Sequence, residues 1–190
     1  MRVAVTGSSG LIGKRLVASL EGDGHGVARL VRPPSSSDAA AIRCDPEAGT
    51  IDAAGLEGVD AVVHLAGEGI AEKRWDAEQK RKILDSRVRG TTVLAEALAG
   101  LERKPSVLLS ASGVDFYGDT GDAVVDESFP KGTGFLADVC EAWEGATAAA
   151  AEAGIRTCLL RTTLVLDPAG GALGKVLPLF KLGLGGRIGR

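Results

Sequence analysis

The sequence predicts an α/β fold in which a doubly wound parallel sheet is flanked by helices. Short apolar runs rich in β-branched residues alternate with longer segments of helical periodicity. A glycine-rich turn joins the first of these runs to the first helical segment. The chain has 190 residues, of which 45% are hydrophobic, and this is enough for one sizeable core. We therefore expect a single domain over residues 1–190.

Six strands are predicted from the apolar runs. The third is the weakest, because two prolines and three serines interrupt the chain just ahead of it. The predicted strands are Val3–Thr6, Val27–Val31, Ile42–Cys44, Ala61–Ala66, Val107–Ser110 and Thr157–Val165.

Helices are predicted between these strands. The first places Ile12, Leu16 and Leu20 on one face, which is expected to pack on the sheet. A long helix over Asp76–Leu101 is predicted from one stripe that repeats in steps of four and three, formed by Leu84, Val88, Thr91, Ala95 and Leu98. Another helix is expected over Leu136–Ala153.

Two segments are predicted to lack regular structure. The stretch Phe116–Gly134 is rich in Gly, Asp, Thr and Pro, and we expect a long functional loop there. A glycine-rich tail ends the chain at Arg190.

Charge and cysteine content exclude several classes of function. Lys and Arg total 22 against 25 Asp and Glu, for a net charge of −3, so nucleic acid is not an expected partner. Neither a signal peptide nor a long apolar run is present, and a cytoplasmic protein without a membrane segment is expected. Cys44, Cys140 and Cys158 form no C-x-x-C pair, which favours reduced, buried thiols and no metal site. A small polar molecule is the expected ligand.

Three evenly spaced glycines follow the first strand. Gly7 is suited to the tight turn, Gly10 to close approach of a pyrophosphate, and Gly13 to close packing of helix on strand. The start of the following helix offers free N–H groups and a positive dipole end to that anion. A Walker-type loop is excluded, because Ser8 and Arg15 stand where it needs glycine and Ser or Thr. The alternative is a tight βα turn without a ligand.

Arg32 indicates which dinucleotide is bound. It stands at the end of the second predicted strand, nineteen residues beyond Gly13. An NAD-binding protein usually has an acid there for the ribose 2′-OH, whereas an NADP-binding protein has a base. The sequence therefore favours NADP(H), and the alternative is a solvated arginine at a strand end.

Several motifs together resemble the extended type of short-chain dehydrogenase/reductase. They are TGSSGLIG from Thr6, HLAG from His64, and SAS from Ser110 ahead of Tyr117. The stretches GEGIAEKRW, DSRVRGTT, FLADVCEAWE and LPLFKLGLGG resemble, more narrowly, the atypical epimerase-like subgroup 39U, and the match covers essentially the whole chain.

This resemblance implies a Rossmann-type fold that binds NADP(H). Such proteins are longer than this chain, so most of the substrate-side segment is expected to lie beyond Arg190. The residues expected to bind the cofactor are Thr6, Gly7, Ser9, Gly10, Leu11, Ile12, Gly13, Arg32, His64, Leu65, Ala66, Gly67 and Ser110.

The catalytic residues of the larger family are only partly present. That family uses a Tyr as general acid, a Lys four residues later and a Ser that binds the substrate oxygen. Aligning the resemblance places Phe135 and Val139 at the Tyr and Lys positions. Ser112 is suited to bind a substrate carbonyl. The alternative is that its hydroxyl only hydrogen-bonds a nearby backbone group. Tyr117 and Glu127 are the other expected proton donors, besides water.

Two functions follow from these observations. The first is an NADP-dependent oxidoreductase or epimerase of unknown substrate and atypical mechanism, and the second is a binding module that senses NADP(H) without turnover. Lys73 and Arg74 are candidates for binding an anionic substrate. Lys80, Arg81 and Lys82 are expected to form a solvated helix face.

Overall fold

A computed structural model describes residues 1–33, 41–70 and 73–186 of the chain. Its strands form a seven-stranded sheet in the order β4-β3-β2-β1-β5-β6-β7. Neighbouring strands are parallel except β3 and β4, which are antiparallel. The strands are β1 (Arg2–Thr6), β2 (Gly26–Val31), β3 (Ile42–Asp45), β4 (Thr50–Ile51), β5 (Ala61–His64), β6 (Val107–Gly113) and β7 (Arg156–Thr162).

Helices cover the sheet, which confirms the predicted doubly wound α/β fold. A short 3₁₀ turn over Val114–Tyr117 follows β6. The helices are α1 (Leu11–Gly22), α2 (Ala53–Leu56), α3 (Ala77–Ala99), α4 (Phe135–Gly145), α5 (Ala148–Glu152) and α6 (Gly171–Lys181).

The core lies on both faces of the sheet, because alternate residues of each strand point to opposite sides. On one face, Val3 and Val5 of β1 pack with Val17 of α1. On the other, Ala4 of the same strand belongs to a larger cluster that includes Leu94 of α3. A parallel strand covered on both faces is expected to be almost wholly apolar, and β1 follows that pattern.

The long helix α3 confirms the prediction, although its buried stripe begins elsewhere. Asp76 accepts a hydrogen bond from the Gln79 backbone N–H at 2.8 Å and caps the first turn. Ile83 is fully buried, whereas the predicted Leu84 and Val88 are only half-buried. The stripe is therefore rotated by about one residue in its first half.

Two predicted strands end earlier than expected, and one predicted helix is interrupted. The strand predicted over Thr157–Val165 ends at Thr162. Strand β5 stops at His64 rather than Ala66, because the next two backbone N–H groups bond a side chain instead of a neighbouring strand. The predicted helix Leu136–Ala153 is two helices, α4 and α5. At the break, the Thr147 hydroxyl donates to the Glu144 carbonyl at 2.7 Å, a local bond that competes with helix continuation.

Three further findings differ from the predictions. Ile12 is 41% exposed, so the sheet-facing side of α1 begins at Gly13. Cys158 is only half-buried, although all three cysteines are free. The predicted tail contains α6, which buries none of its residues.

Within the described ranges, no helix has the length and apolar character that crossing a membrane requires.

Candidate functional site

The three glycines of the first turn have different local roles. Gly7 has φ +65°, and a Cβ there would lie 2.9 Å from the Leu65 carbonyl group. A Cβ on Gly13 would overlap the carbonyl oxygen of Gly7 and lie 2.8 Å from the Ser8 Cα. The turn itself therefore requires both glycines. A Cβ on Gly10 would meet only the Gly7 oxygen, at 3.3 Å, a tight contact that a backbone shift of a few tenths of an ångström would relieve, so the turn constrains this position less than the other two.

Helix α1 begins directly behind Gly10, its N-cap residue. Gly10 has no side chain to accept from the first-turn N–H groups, and no side-chain capping bond is made. The first turn also contains no acidic residue. Ser9 and Gly10 are exposed, so this helix start combines free N–H donors with room for a ligand, an arrangement that suits a phosphate group.

A buried chain of hydrogen bonds, called the relay below, connects β1, β5 and α3 beside this turn. The Thr6 Oγ1 accepts from the Leu65 and Ala66 N–H groups at 3.0 and 3.1 Å and lies 2.7 Å from His64 Nδ1. His64 Nε2 lies 2.9 Å from Thr91 Oγ1. Because Thr6 already accepts twice, we assign its proton to Nδ1, so that Nε2–H donates to Thr91.

Burial determines the charge of this relay. Removal from water lowers the pKa of His64 from 6.5 to about 4, so the ring is neutral near neutral pH. The polar atoms of the Thr6 and His64 side chains therefore form their hydrogen bonds within the protein. Their effect on a ligand is indirect, since they hold the Leu65 and Ala66 backbone against Gly7.

Two other predicted cofactor residues differ in exposure. Ser110 is completely buried, and its hydroxyl makes only a 3.4 Å bond to the Ala111 carbonyl. Arg32 is exposed and follows the last residue of β2. Since β1 and β2 are parallel neighbours, Arg32 lies at the same edge of the sheet as the glycine turn.

Ser112 and Tyr117 are joined by an ion pair that the sequence did not reveal. Arg161 donates to both oxygens of Glu144 at 2.8 Å and to the Tyr117 hydroxyl at 2.9 Å. Ser112 donates to Glu144 Oε1 at 2.6 Å. Ser112 and Arg161 are opposite each other in the β6–β7 register, so their side chains point to the same face of the sheet.

The surroundings keep this pair charged. The side chains of Arg161 and Glu144 are only 18% and 9% exposed. Burial by itself raises the pKa of Glu144, but the hydrogen bonds from Arg161 and Ser112 and the charge of Arg161 outweigh it, and the pKa is lowered. The hydrogen bond to Glu144 raises the pKa of Arg161. The guanidinium also lies 3.6 Å from the Phe116 ring centroid, a cation–π contact.

The direction of these bonds changes the expected role of Ser112. An ionised carboxylate only accepts, so the Ser112 proton is directed at Glu144 and is not free for a substrate carbonyl. The Tyr117 oxygen accepts from Arg161 and keeps its own proton available for donation. Of the two predicted catalytic hydroxyls, that of Ser112 donates its proton to Glu144, whereas that of Tyr117 accepts from Arg161 and could still donate.

The positions of the family's usual dyad contain no acid or base. Val139 is buried, with 2% exposure. Phe135 contacts Trp75 edge to face, with ring centroids 5.6 Å apart. Lys80, Arg81 and Lys82 are exposed, as predicted for a solvated helix face, and Lys80 also extends over the Phe135 ring at 5.3 Å.

A concave region of about 710 Å³ lies beside β7. Tyr117, Glu127 and Arg161 line it, but Ser112 does not. Strand β7 is the outermost strand and the third from β1, so this cavity is separate from the glycine turn. It brings the expected acids Tyr117 and Glu127 together on one surface.

Comparison with known proteins identifies the family of the chain. Residues 3–181 match the NAD dependent epimerase/dehydratase family. The chain belongs to that family. It is 47% identical over 188 residues to an epimerase family protein of Mycobacterium tuberculosis, covering 98% of this chain and 61% of the relative. It is 35% identical over 192 residues to the human epimerase family protein SDR39U1, covering 100% of this chain and 63% of the relative.

Two solved structures of family members share the fold over the whole chain. One is human SDR39U1 with NADPH, at 34% identity and a TM-score of 0.86, of which 62% is covered. The other is a nucleoside-diphosphate sugar epimerase from Corynebacterium glutamicum, at 40% identity and a TM-score of 0.85, of which 39% is covered. The chain therefore spans less than two thirds of the length of these relatives.

Proposed function

We propose that the chain binds NADP(H) at the glycine turn and serves an oxidoreductase or epimerase that acts on a small molecule. The observation that carries this proposal is Gly10, whose lack of a side chain leaves the start of α1 open to a phosphate. The human relative was solved with NADPH. A cytoplasmic location belongs to the same proposal, and a substrate-side segment beyond Arg190 stays a prediction.

The residues around the turn fit a dinucleotide. The first-turn N–H groups of α1 would hold the pyrophosphate, and Arg32 would hold a ribose 2′-phosphate. Thr6 and His64 would act indirectly, because they hold the Leu65 and Ala66 backbone in place. Ser110 is fully buried and would contribute by packing beneath the site. The remaining candidates at this edge are Ser9, Leu11, Ile12, Leu65, Ala66 and Gly67.

The chain's own residues would manage the proton in such a reaction. The nicotinamide, when bound, supplies or accepts the hydride. Tyr117 would donate a proton to the substrate oxygen, while Arg161 holds the phenolic oxygen and favours the negative charge left behind. Glu127 is the other acid on that surface. Ser112 is buried and does not line that cavity, so it would act by holding Glu144, to which its own proton bonds.

A second candidate function is NADP(H) sensing without turnover. The observation that favours it is the pair Phe135 and Val139, which removes both the usual acid and the lysine from the family's catalytic helix. Cofactor binding does not determine chemistry, so the glycine turn is compatible with both functions.

A two-step experiment tests the proposal. NADPH is first titrated by calorimetry, and carbonyl compounds are then screened for loss of nicotinamide absorbance. If turnover occurs, Tyr117→Phe should lower the rate by about 10² to 10⁴, the usual contribution of general acid catalysis. Phe135→Ala is the control and should not cause a loss of that size. Binding without turnover would favour the sensor, and absence of NADPH binding would overturn both functions.

A further inference from the structure

An arginine of α3, Arg87, holds the backbone that follows β5. Its Nη1 donates to the Glu68 carbonyl at 3.0 Å. The hydroxyl of the neighbouring Ser86 accepts from the Glu68 N–H at 3.0 Å. Side chains of α3 therefore bind both backbone groups of Glu68, while Thr6 binds the N–H groups of the first two residues of the segment 65–68. This segment is thus held from both sides beside the glycine turn.

No ion pair neutralises the charge of Arg87 within the described part of the chain. The guanidinium lies over the Trp143 ring, 5.0 Å from its centroid, and a Cβ on Gly67 would lie 3.4 Å from the Arg87 Cζ. Burial lowers the pKa of Arg87, and the nearby Glu68 carboxylate offsets this in part, so the side chain stays protonated. Because Gly67 is exposed, a positive charge lies directly behind exposed backbone.

The strand order places this charge on the nicotinamide side of the proposed cofactor site. Strand β1 lies between β2 and β5. The proposed site has the ribose 2′-phosphate at Arg32, after β2, and the pyrophosphate at the turn after β1. A dinucleotide bound across the sheet edge in this way extends its nicotinamide toward the strand on the other side of β1. That strand is β5, and Arg87 lies behind the residues that follow it.

We propose that the charge of Arg87 makes the site prefer the reduced cofactor over the oxidised one. The nicotinamide ring of NADP⁺ carries a positive charge, whereas that of NADPH is neutral. A cation behind the segment 65–68 repels the first ring and not the second, and a partly buried charge is screened less than an exposed one. This inference rests on the proposed function, since it assigns that cofactor site a preference for one redox form.

Affinities for the two redox forms separate the charge of Arg87 from its hydrogen bond. NADPH and NADP⁺ are each titrated by calorimetry, and the redox preference is defined as the Kd of NADP⁺ divided by that of NADPH. Arg87→Met loses the bond to Glu68 and should weaken binding of both forms. Loss of the charge should in addition lower the redox preference about three- to tenfold, equivalent to about 0.7 to 1.4 kcal/mol. Arg87→Lys keeps the charge and should keep the redox preference within about twofold.

Two further variants check the sign and the position of the effect. Glu68→Gln removes a negative charge beside Arg87 and keeps the backbone bonds of that residue, so the redox preference should rise about twofold or more. The matched control is Arg89→Met, which removes the same charge from an exposed position of α3. It should change the redox preference by less than about twofold, because exposed charges are screened. Urea unfolding shows whether each variant is folded.

The inference is overturned if Arg87→Met weakens both forms by the same factor, if Arg87→Lys lowers the redox preference as much as Arg87→Met, or if Glu68→Gln fails to raise it. Should Arg87→Met not fold, the Glu68→Gln result decides. An unmutated chain that binds both forms, with a redox preference that no variant changes, overturns this inference and leaves the proposed function standing. An unmutated chain that binds neither form overturns the proposed function as well.

Discussion

At the scale of single residues, the three glycines of the first turn divide into two kinds. Gly7 and Gly13 are required by backbone contacts within the turn, whereas Gly10 leaves space in front of α1. The sequence predicts all three positions, because the spacing is a property of the motif. It does not show which glycine serves the fold and which serves the ligand, since this depends on the backbone atoms opposite each one.

This division predicts opposite behaviour for two substitutions. Gly13→Ala should destabilise the protein by about 3 kcal/mol or more, because its methyl group overlaps the backbone of the turn and overpacking has costs of this size. Gly10→Val should cost only about 1 kcal/mol but abolish NADPH binding, because its side chain occupies the pyrophosphate path. Urea unfolding and calorimetric titration measure the two effects. A folded Gly10→Val protein with unchanged affinity would show that the glycines only form a turn.

His64 predicts a pH dependence of stability. Its pKa is about 4 in the folded chain against an ordinary value of 6.5, so the unfolded chain binds more protons between these values. Stability should therefore fall as pH drops from about 6.5 to 4, by about 3 kcal/mol in total at 1.36 kcal/mol per pKa unit. His64→Gln should flatten this part of the urea midpoint profile. His25→Gln should keep it, and the same slope in both variants would contradict the assignment.

The hydrogen bond of Ser112 is a feature of a single residue that the sequence could not reveal. Its place after a strand predicts a hydroxyl near the sheet edge, and the structure has it there. The direction of its hydrogen bond depends on Glu144, 32 positions away. Glu144 and Arg161 meet because α4 packs on β6 and β7 is the next strand of the sheet. The signal in the sequence was limited to an acid in an apolar helix face and an arginine in an apolar strand.

At the scale of elements, the Glu144–Arg161 pair fastens α4 to the outermost strand. Arg161→Ala leaves the buried Glu144 charge without its partner and should cost about 3 to 5 kcal/mol. Replacing both residues, as Glu144→Leu with Arg161→Met, should cost clearly less, because no buried charge is left alone. A double-mutant cycle by urea unfolding measures the coupling. Additive losses in the double variant would mean that the pair does not hold α4 to β7.

Helix and strand boundaries were predicted less well than the elements themselves. The apolar pattern continues through Leu136–Ala153, but the bond from Thr147 to the Glu144 carbonyl ends α4 there. The very short β4 and α2 contain too few residues for periodicity to show. Strand β5 ends at His64 because Thr6, a residue of another strand, bonds the next two N–H groups.

At the scale of the whole molecule, the alternation of strands and helices was enough to predict the parallel sheet. Short crossovers through helices leave few arrangements, and the glycine turn fixes which strand lies centrally. The antiparallel addition of β4 could not be predicted in this way. The same topology gathers the glycine turn, Arg32 and the Trp75–Phe135 contact at one edge, although they are far apart in the sequence.

The choice between NADPH and NADH depends on Arg32. The guanidinium of Arg32 can hold a 2′-phosphate by paired, charge-assisted hydrogen bonds that a 2′-hydroxyl cannot match. Such bonds contribute about 1.5 to 3 kcal/mol, which predicts a preference for NADPH over NADH of about ten- to a hundredfold. Arg32→Ala should remove most of that preference. No acid stands at Leu30, Val31 or Pro33, so the variant should bind both cofactors weakly rather than switch.

The measurement is a side-by-side calorimetric titration of NADPH and NADH at one salt concentration, with the unmutated chain and with Arg32→Ala. The matched control is Arg29→Ala, which removes a half-exposed arginine of β2 that pairs with Glu21. The account predicts a strong NADPH preference that the control retains and Arg32→Ala loses. Equal affinities of the unmutated chain for the two cofactors, or a preference that survives Arg32→Ala, would contradict it.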